Sequence, residues 1–295
     1  MSYLTNPYMV QSAETETTNA LSACGYTSAD TYAGTDVCQT FDGDSTWSSI
    51  ATATACSATA GGRDNICVGS DGANVYTNLT QKLVSGTWSS IQNYPVSLGA
   101  QMSDGLYSND DIIVAGGVDE STGASTDRTS ELSSDSWASG GALNTDRYAV
   151  GGSGTKASAI IVGGNQSGAG GYQDSCELYN GSTWDENHNI NSARTGGATC
   201  GSDPSTTALT VGGYSSSAGA FVTDVELFDG DAWANGTFLL VARAFSGLAG
   251  TPEECVVSHG ATGNWNITNN SLTYNGTSWT TSGNLSNYAT ECAGH

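Results

Sequence analysis

The stretch Thr207-Ala-Leu-Thr-Val-Gly-Gly213, followed by Asp224-Val-Glu-Leu-Phe-Asp-Gly-Asp-Ala-Trp233, decides the fold, because both phrases recur. Ser158-Ala-Ile-Ile-Val-Gly-Gly164 precedes Ser175-Cys-Glu-Leu-Tyr-Asn-Gly-Ser-Thr-Trp184 in the same order. The second phrase returns as Ser271-Leu-Thr-Tyr-Asn-Gly-Thr-Ser-Trp279 and as Asp36-Val-Cys-Gln-Thr-Phe-Asp-Gly-Asp-Ser-Thr-Trp47, with weaker copies ending at Trp88 and Trp137. The six marker tryptophans, Trp47, Trp88, Trp137, Trp184, Trp233 and Trp279, are separated by 41, 49, 47, 49 and 46 residues. That period suits a four-stranded propeller blade, which takes about 40–50 residues. The seventh tryptophan, Trp265, lies off this grid.

Each unit divides into four short strands. The first is small and Gly/Ala-rich, as in Tyr148-Ala-Val-Gly-Gly-Ser-Gly154, and suits a crowded innermost position. The second is a continuous apolar run stopped by glycines, such as Ile112-Ile-Val-Ala-Gly-Gly117, and reads as a strand buried on both faces. The third, such as Val225-Glu-Leu-Phe228, alternates in part and runs into an Asn-Gly or Asp-Gly turn. The tryptophan opens the fourth and is expected to pack between adjacent blades, while the pairs Gly116/Gly117, Gly163/Gly164 and Gly212/Gly213 turn the chain where side chains would clash. No stretch has convincing helical periodicity. The first unit begins at its second strand, since Thr18-Asn-Ala-Leu-Ser-Ala-Cys-Gly-Tyr26 aligns with Thr206-Thr-Ala-Leu-Thr-Val-Gly-Gly-Tyr214. Its first strand is found at the other end, where Asn287-Tyr-Ala-Thr-Glu-Cys-Ala-Gly294 matches Arg147-Tyr-Ala-Val-Gly-Gly-Ser-Gly154. The expectation is an all-β, six-bladed β-propeller over residues 18–295, closed by the C-terminal strand completing the first blade and so free of open edges. Residues 1–17 stand outside the repeat as an anchoring arm or a disordered end.

Composition narrows the function. Only 12% of residues are charged and 39 of 295 are glycine, which excludes a coiled coil. Seven basic against 29 acidic residues give a net charge of −22, a field that repels phosphate backbones and anionic lipid, so neither nucleic acid nor membrane is an expected partner. The opening Met1-Ser-Tyr-Leu-Thr-Asn-Pro-Tyr-Met-Val10 lacks the basic flank and apolar run of a secretory signal. Eight cysteines are an even number compatible with disulfides, and none forms a Cys-x-x-Cys pair. Together these features suggest an extracellular protein released by lysis.

The Gly-Gly pair, the aromatic residue and the tryptophan five or six residues later resemble the kelch repeat, with a shortened Tyr-Asn-Gly-Ser-Thr-Trp turn. The units Ala-Leu-x-Val-Gly-Gly, Glu-Leu-Tyr-Asn-Gly and Thr-Ser-Trp, with the Met1-to-Val10 opening, are similar to kelch-like repeat structural proteins of tailed phages, marine ones in particular. The resemblance covers about residues 18–295 and implies a non-enzymatic virion structural protein. It would be an exposed tail-fibre or tail-tip adhesin for host-surface glycan, or a capsid decoration. Its partners would be other virion proteins, reached through the N-terminal arm, in a homo-oligomeric assembly. A self-assembling extracellular filament or array scaffold is the alternative, and a secreted carbohydrate-active enzyme is a weaker one.

Candidate sites follow from the repeat. Arg147, Arg194 and Arg243 precede the first strand of three successive blades, 47 and 49 residues apart. They could form an anion clamp at the channel mouth for a carboxylate-bearing sugar, or each could pair with an acidic residue of the protein. The turns Asp42-Gly-Asp44 and Asp229-Gly-Asp231 have a faint likeness to sialidase Asp-boxes, but ordinary turn chemistry accounts for them. Asn109-Asp-Asp111 could contribute to a calcium site, although no EF-hand spacing is present and a solvated loop is the plainer reading. The three histidines, His188, His259 and His295, do not supply the copper ligands of a galactose-oxidase-type enzyme, and no catalytic residue is assigned. Cys24, Cys38, Cys56, Cys67, Cys176, Cys200, Cys255 and Cys292 are either disulfide partners, with Cys292 bridging to Cys24 or Cys56 across the closure, or buried thiols behaving as small apolar residues.

Overall fold

In the computed structural model, residues 111–119, 121–168, 171–203 and 206–286 are described. So are the segments 20–23, 38–41, 46–49, 58–60, 66–69, 78–84, 87–99, 102–104 and 293–294. These residues form an all-β protein of small antiparallel sheets, and among them the one helical element is a single 3-10 turn, Gly263–Trp265. Among the described residues no helix is long and apolar enough to cross a membrane. The expected arm, residues 1–17, lies outside the described residues.

Six of the sheets have four strands. The fourth is Gly151–Gly154, Ala159–Val162, Cys176–Tyr179 and Trp184–Asn187, in that spatial order. The fifth is Ala198–Asp203, Thr207–Val211, Val225–Phe228 and Trp233–Asn235. The sixth is Gly247–Gly250, Cys255–Ser258, Ser271–Tyr274 and Trp279–Thr281. The third (Met102–Asp104, Ile112–Ala115, Thr129–Ser133, Ser136–Ser139) and the second (Ala58–Ala60, Ile66–Gly69, Leu79–Val84, Thr87–Ser90) repeat the pattern. In the first, Trp47–Ser49, Cys38–Phe41 and Ala20–Ala23 are joined by Ala293–Gly294 from the end of the chain, with Ser22 opposite Gly294 and Ala23 opposite Ala293. The first strand of each sheet neighbours that of the next, and Ala293–Gly294 neighbours both Ala58–Ala60 and Gly247–Gly250.

The core lies between sheets. Ile113 and Ala115 of the third sheet pack with Ala159, Ile161, Tyr179 and Trp184 of the fourth, and Ile160, Val162 and Cys176 of the fourth pack with Ala208, Phe228 and Trp233 of the fifth. The apolar second strands are therefore buried on both faces, each Ile or Val contributing about 1.5–3 kcal/mol. The tryptophans reach back to the preceding sheet. The Trp184 indole N–H donates to Thr129 Oγ1 at 2.8 Å, Trp137 to Thr80 Oγ1 at 3.3 Å, and Trp279 to the Thr237 carbonyl at 2.9 Å. Trp184, Trp233 and Trp279 also pack on the aromatic residue five positions earlier, with ring centroids 4.9 Å apart for Tyr179–Trp184, 5.1 Å for Phe228–Trp233 and 4.8 Å for Tyr274–Trp279, while Trp137 meets Tyr94 edge-on at 4.9 Å. The intervening turns are closed by side chains: Asn180 Oδ1 accepts from the Ser182 and Thr183 N–H groups, and Asp229 Oδ1 from those of Asp231 and Ala232. Asp229 is thus occupied in ordinary turn chemistry, while Asp42 and Asp44 lie outside the described residues, as does the side chain of Trp47.

First strands are small because they touch. A Cβ on Gly151 would sit 2.3 Å from Thr199 Oγ1 on the first strand of the next sheet. The glycine pairs answer a second constraint. Gly163 and Gly212 hold φ of +61°, and a Cβ on either would come within 2.7 Å and 2.3 Å of the carbonyl oxygens of Arg194 and Arg243. Replacing Gly212 by Ala should cost about 1–3 kcal/mol for the left-handed backbone, with the carbonyl clash added. Gly219→Ala, at φ +60° with open space around its Cβ, should cost only the backbone part. Urea unfolding of the two variants measures the difference, which we expect to exceed about 1 kcal/mol.

Candidate binding face

Arg147, Arg194 and Arg243 are built alike, each as a joint between two sheets. The Arg147 carbonyl accepts from Gly117 N at 2.8 Å, that of Arg194 from Gly164 N at 2.9 Å, and that of Arg243 from Gly213 N at 2.8 Å. Each guanidinium turns into its own sheet. Arg147 Nη1 donates to the carbonyls of Gly163 (3.2 Å) and Ser175 (3.0 Å), and Nη2 to Glu177 Oε1 at 2.6 Å. Glu177 is itself saturated, its other donors being the Asn144 and Thr145 backbone N–H groups and the Asn144 side-chain amide. The fifth sheet repeats the ion pair without the carbonyl bonds: Arg194 Nη1 lies 2.9 Å from Glu226 Oε1, and Asn191 donates to Glu226 Oε2 through backbone and side chain. All three arginines are buried, at 0–2% exposure, so no guanidinium faces an open channel mouth. Of the two alternatives the structure shows internal pairing: Arg147 donates to carbonyls and Glu177, Arg243 to carbonyls and Asn270, and Arg194 is ion-paired with Glu226.

The sixth sheet departs from this pattern. Leu272 stands where the other two have Glu177 and Glu226, and Leu240 where they have Asn144 and Asn191. Arg243 Nη2 donates to the neutral Asn270 Oδ1 at 2.6 Å, and Nη1 to the His259 and Asn270 carbonyls. Desolvation, with no carboxylate to oppose it, pulls the Arg243 guanidinium down to about 10. His259, at φ +55°, occupies the place of Gly163 and Gly212.

The joints carry a set of hairpins on one face, inserted between the second and third strands. Arg194–Thr195 pairs with Tyr214–Ser215, which pairs with Ala220–Phe221. In the neighbouring sheets Tyr148 bridges to Asn165 and Ala244 to Ala261. Two further backbone bonds link these positions in series, Gly196 N to the Ala149 carbonyl and Phe245 N to the Gly196 carbonyl, each 2.7 Å. The Phe245 ring lies over Gly196, where a Cβ would meet its edge at 2.6 Å.

Five aromatic side chains from three consecutive sheets gather here. Trp265 packs on Phe221 (5.0 Å, 76°), Tyr214 (6.0 Å, 20°) and Phe245 (5.9 Å, 24°), and Tyr214 also meets Phe221 and Tyr172 edge-on. Four of these rings are half-buried, whereas Trp265 is 52% exposed. Trp265 and Phe245 both hold left-handed φ, +59° and +56°, an unfavourable conformation for bulky residues that the surrounding bonds impose. None of these five was singled out as a site from the sequence. The available signal was Trp265 standing off the repeat.

Among the described residues no three His, Cys, Asp or Glu side chains lie close enough to share a metal ion, and Asn109 and Asp110 lie outside them. Cys176, Cys200 and Cys255 are buried thiols in the apolar core, not disulfide halves, which corrects the disulfide expectation for these three. Burial pushes the Cys176 thiol up to about 12. Cys24, Cys38, Cys56, Cys67 and Cys292 are not described at the side-chain level. No protein-family model matches the chain, and no curated protein matches it.

Two predictions follow from the joints and the thiols. Glu226→Ala should destabilise by about 3–5 kcal/mol by stranding Arg194, and combining Arg194→Met with Glu226→Leu should recover most of that loss in urea unfolding. Alkylation without reductant should leave Cys176, Cys200 and Cys255 unmodified in the native protein and label all three after unfolding, read by peptide mass spectrometry.

Proposed function

We propose that the six four-stranded sheets are the blades of a closed six-bladed propeller with kelch-like repeats. We further propose that the protein is a non-enzymatic structural component of a tailed-phage virion. It is exposed on the particle as a tail-fibre or tail-tip adhesin, or as a capsid decoration, and contacts host-surface glycan through its hairpin face. Closure is supported by the succession of neighbouring first strands and by the pairing of Ala293–Gly294 with Ala20–Ala23. The observation that carries the binding role is the gathering of Tyr172, Tyr214, Phe221, Phe245 and Trp265 on hairpins fixed by buried arginine joints. Binding groups on loops held by a rigid frame are the usual arrangement for recognition. The virion setting is supported by the kelch-like phage resemblance and by the low-charge, acidic composition, whose self-repulsion a salty medium screens.

A second reading, a self-assembling scaffold, is favoured by the connector between the fifth and sixth sheets. There Phe238, Leu240 and Val241 are 56%, 56% and 40% exposed, where the preceding connector has Asn189, Asn191 and Ser192. Immunogold electron microscopy of the source lysate separates the two. Gold on tails or capsids is the expected outcome. Label confined to filaments or to free protein overturns the virion reading.

A further inference from the structure

We propose that the Trp265 face binds an uncharged saccharide, a hexose or N-acetylhexosamine chain whose pyranose faces stack on Trp265 with Tyr214 and Phe245 alongside. The inference rests on the reading of this protein as a glycan-contacting adhesin and names the ligand class and the site. It does not depend on where in the particle the protein sits.

Three observations carry it. First, Trp265 is 52% exposed and Tyr214 and Phe245 stack on it with ring planes within 24° of its own, so the solvent-facing part of the indole is held in a fixed orientation. The flat C–H face of a pyranose matches such a surface, and an aromatic ring is electron-rich on its face. The rings pack on one another instead of opening around a common point, which argues against a cage for an organic cation. Second, the three hairpin segments that bear Tyr172, Tyr214, Phe221 and Trp265, namely 164–173, 213–223 and 260–270, contain no Asp, Glu, Lys or Arg, in a chain of net charge −22. The corresponding segment of the third sheet, 117–126, carries Asp119 and Glu120. An anionic sugar would have to approach an acidic molecule without help from the nearby Arg194 and Arg243, which are buried and engaged. Third, the border of the rings is made of groups that exchange hydrogen bonds with hydroxyls: exposed Ser216 and Ser217, Asn264, and the Tyr214 hydroxyl, which donates to the Gly219 carbonyl at 2.9 Å and keeps its lone pairs for an incoming donor. A few polar groups around aromatic surface is the general composition of a small-ligand site.

The left-handed φ of Trp265 strengthens the case. A 3-10 turn with Asn264 at φ +60° and Trp265 at +59° lifts the indole out of the repeat's packing and leaves it half in solvent. The other three tryptophans at the ends of the fourth, fifth and sixth repeats are buried.

The test uses the full chain on an array of defined oligosaccharides, half uncharged (hexose and N-acetylhexosamine chains) and half anionic (uronate, sialylated and sulfated chains). Retention of uncharged members is expected, with little change between low and seawater-like salt. Trp265→Ala should weaken binding at least tenfold with an unchanged unfolding midpoint, and Trp265→Phe should restore most of it. Preference for anionic chains, equal binding by Trp265→Ala, or no binding to any member overturns the inference. Gold on virions together with an empty array sinks the saccharide site and leaves the virion reading standing. Trp265-dependent binding by a protein that gold does not place on particles sustains the site and removes the virion.

Discussion

The structure depends on one contact: the carbonyl of each buried arginine against a glycine pair of the preceding sheet. Gly117, Gly164 and Gly213 donate to the carbonyls of Arg147, Arg194 and Arg243, and the first glycine of each pair lies so close that no Cβ fits. Arg147 and Arg243 also spend their guanidinium groups on their own sheets, on the carbonyls after the second strand and before the third, and Arg194 pairs with Glu226 of its own third strand. One residue therefore fixes the relation between two sheets with its backbone and the geometry within one sheet with its side chain. A repeat protein draws its stability from such neighbour terms, because each sheet alone leaves its apolar faces uncovered. The inter-sheet packing of Ile160, Ile161 and Trp184 supplies the energy, and the joint supplies the register.

Burying an arginine is expensive unless its donors are met, and the copies show two solutions to that problem. In the fourth and fifth sheets a glutamate enters with it and an asparagine from the connector caps the carboxylate. In the sixth both partners are leucine, and the neutral Asn270 takes the guanidinium. The exchange is paired for a physical reason. A buried Glu without Asn would lack donors for its second oxygen, and an Asn without Glu would lose its acceptor. The freed connector position is Leu240, which faces outward, so the change in the core alters the surface in the same step.

Much of this was legible in the sequence, and the limits have identifiable causes. The tryptophan period gave the sheets, and the Gly-Gly and aromatic-x-Gly phrases gave the strand order, because each is a local signal for a turn or a buried pair. The match of Asn287–Gly294 to a first strand anticipated the pairing of Ala293–Gly294 with Ala20–Ala23, since strand type is written in residue size. The arginines were visible as a spacing, yet the same spacing fits exposed and buried groups. What separates them is the glutamate 30 or 32 residues later, whose role appears only when the strand register is known. The thiols were ambiguous for a related reason: parity of count says nothing about proximity. The aromatic face was hidden because its members come from four separate loops, and the repeat drew attention to what recurs.

That last point bears on how function arises in a fold of near-identical units. Residues that recur answer to the frame, since every copy must satisfy the same joint. Residues that break the repeat are released from that duty, and they concentrate on the hairpin face: Trp265, Phe245, His259 in a glycine's place, and the apolar connector at Phe238 to Val241. All lie on or beside the fifth and sixth sheets, His259 buried and Trp265, Phe238, Leu240 and Val241 exposed. A rigid frame makes such a surface inexpensive to vary, because hairpins beyond the joints can change sequence without disturbing the packed strands beneath them. The left-handed backbone at Phe245 and Trp265 is tolerable for the same reason. About 1–3 kcal/mol of strain at each can be absorbed by a frame of packed, fully buried second strands. The left-handed backbone recurs at Ala149, Gly196 and Phe245, so at Phe245 the frame imposes the conformation and the bulky ring is the departure.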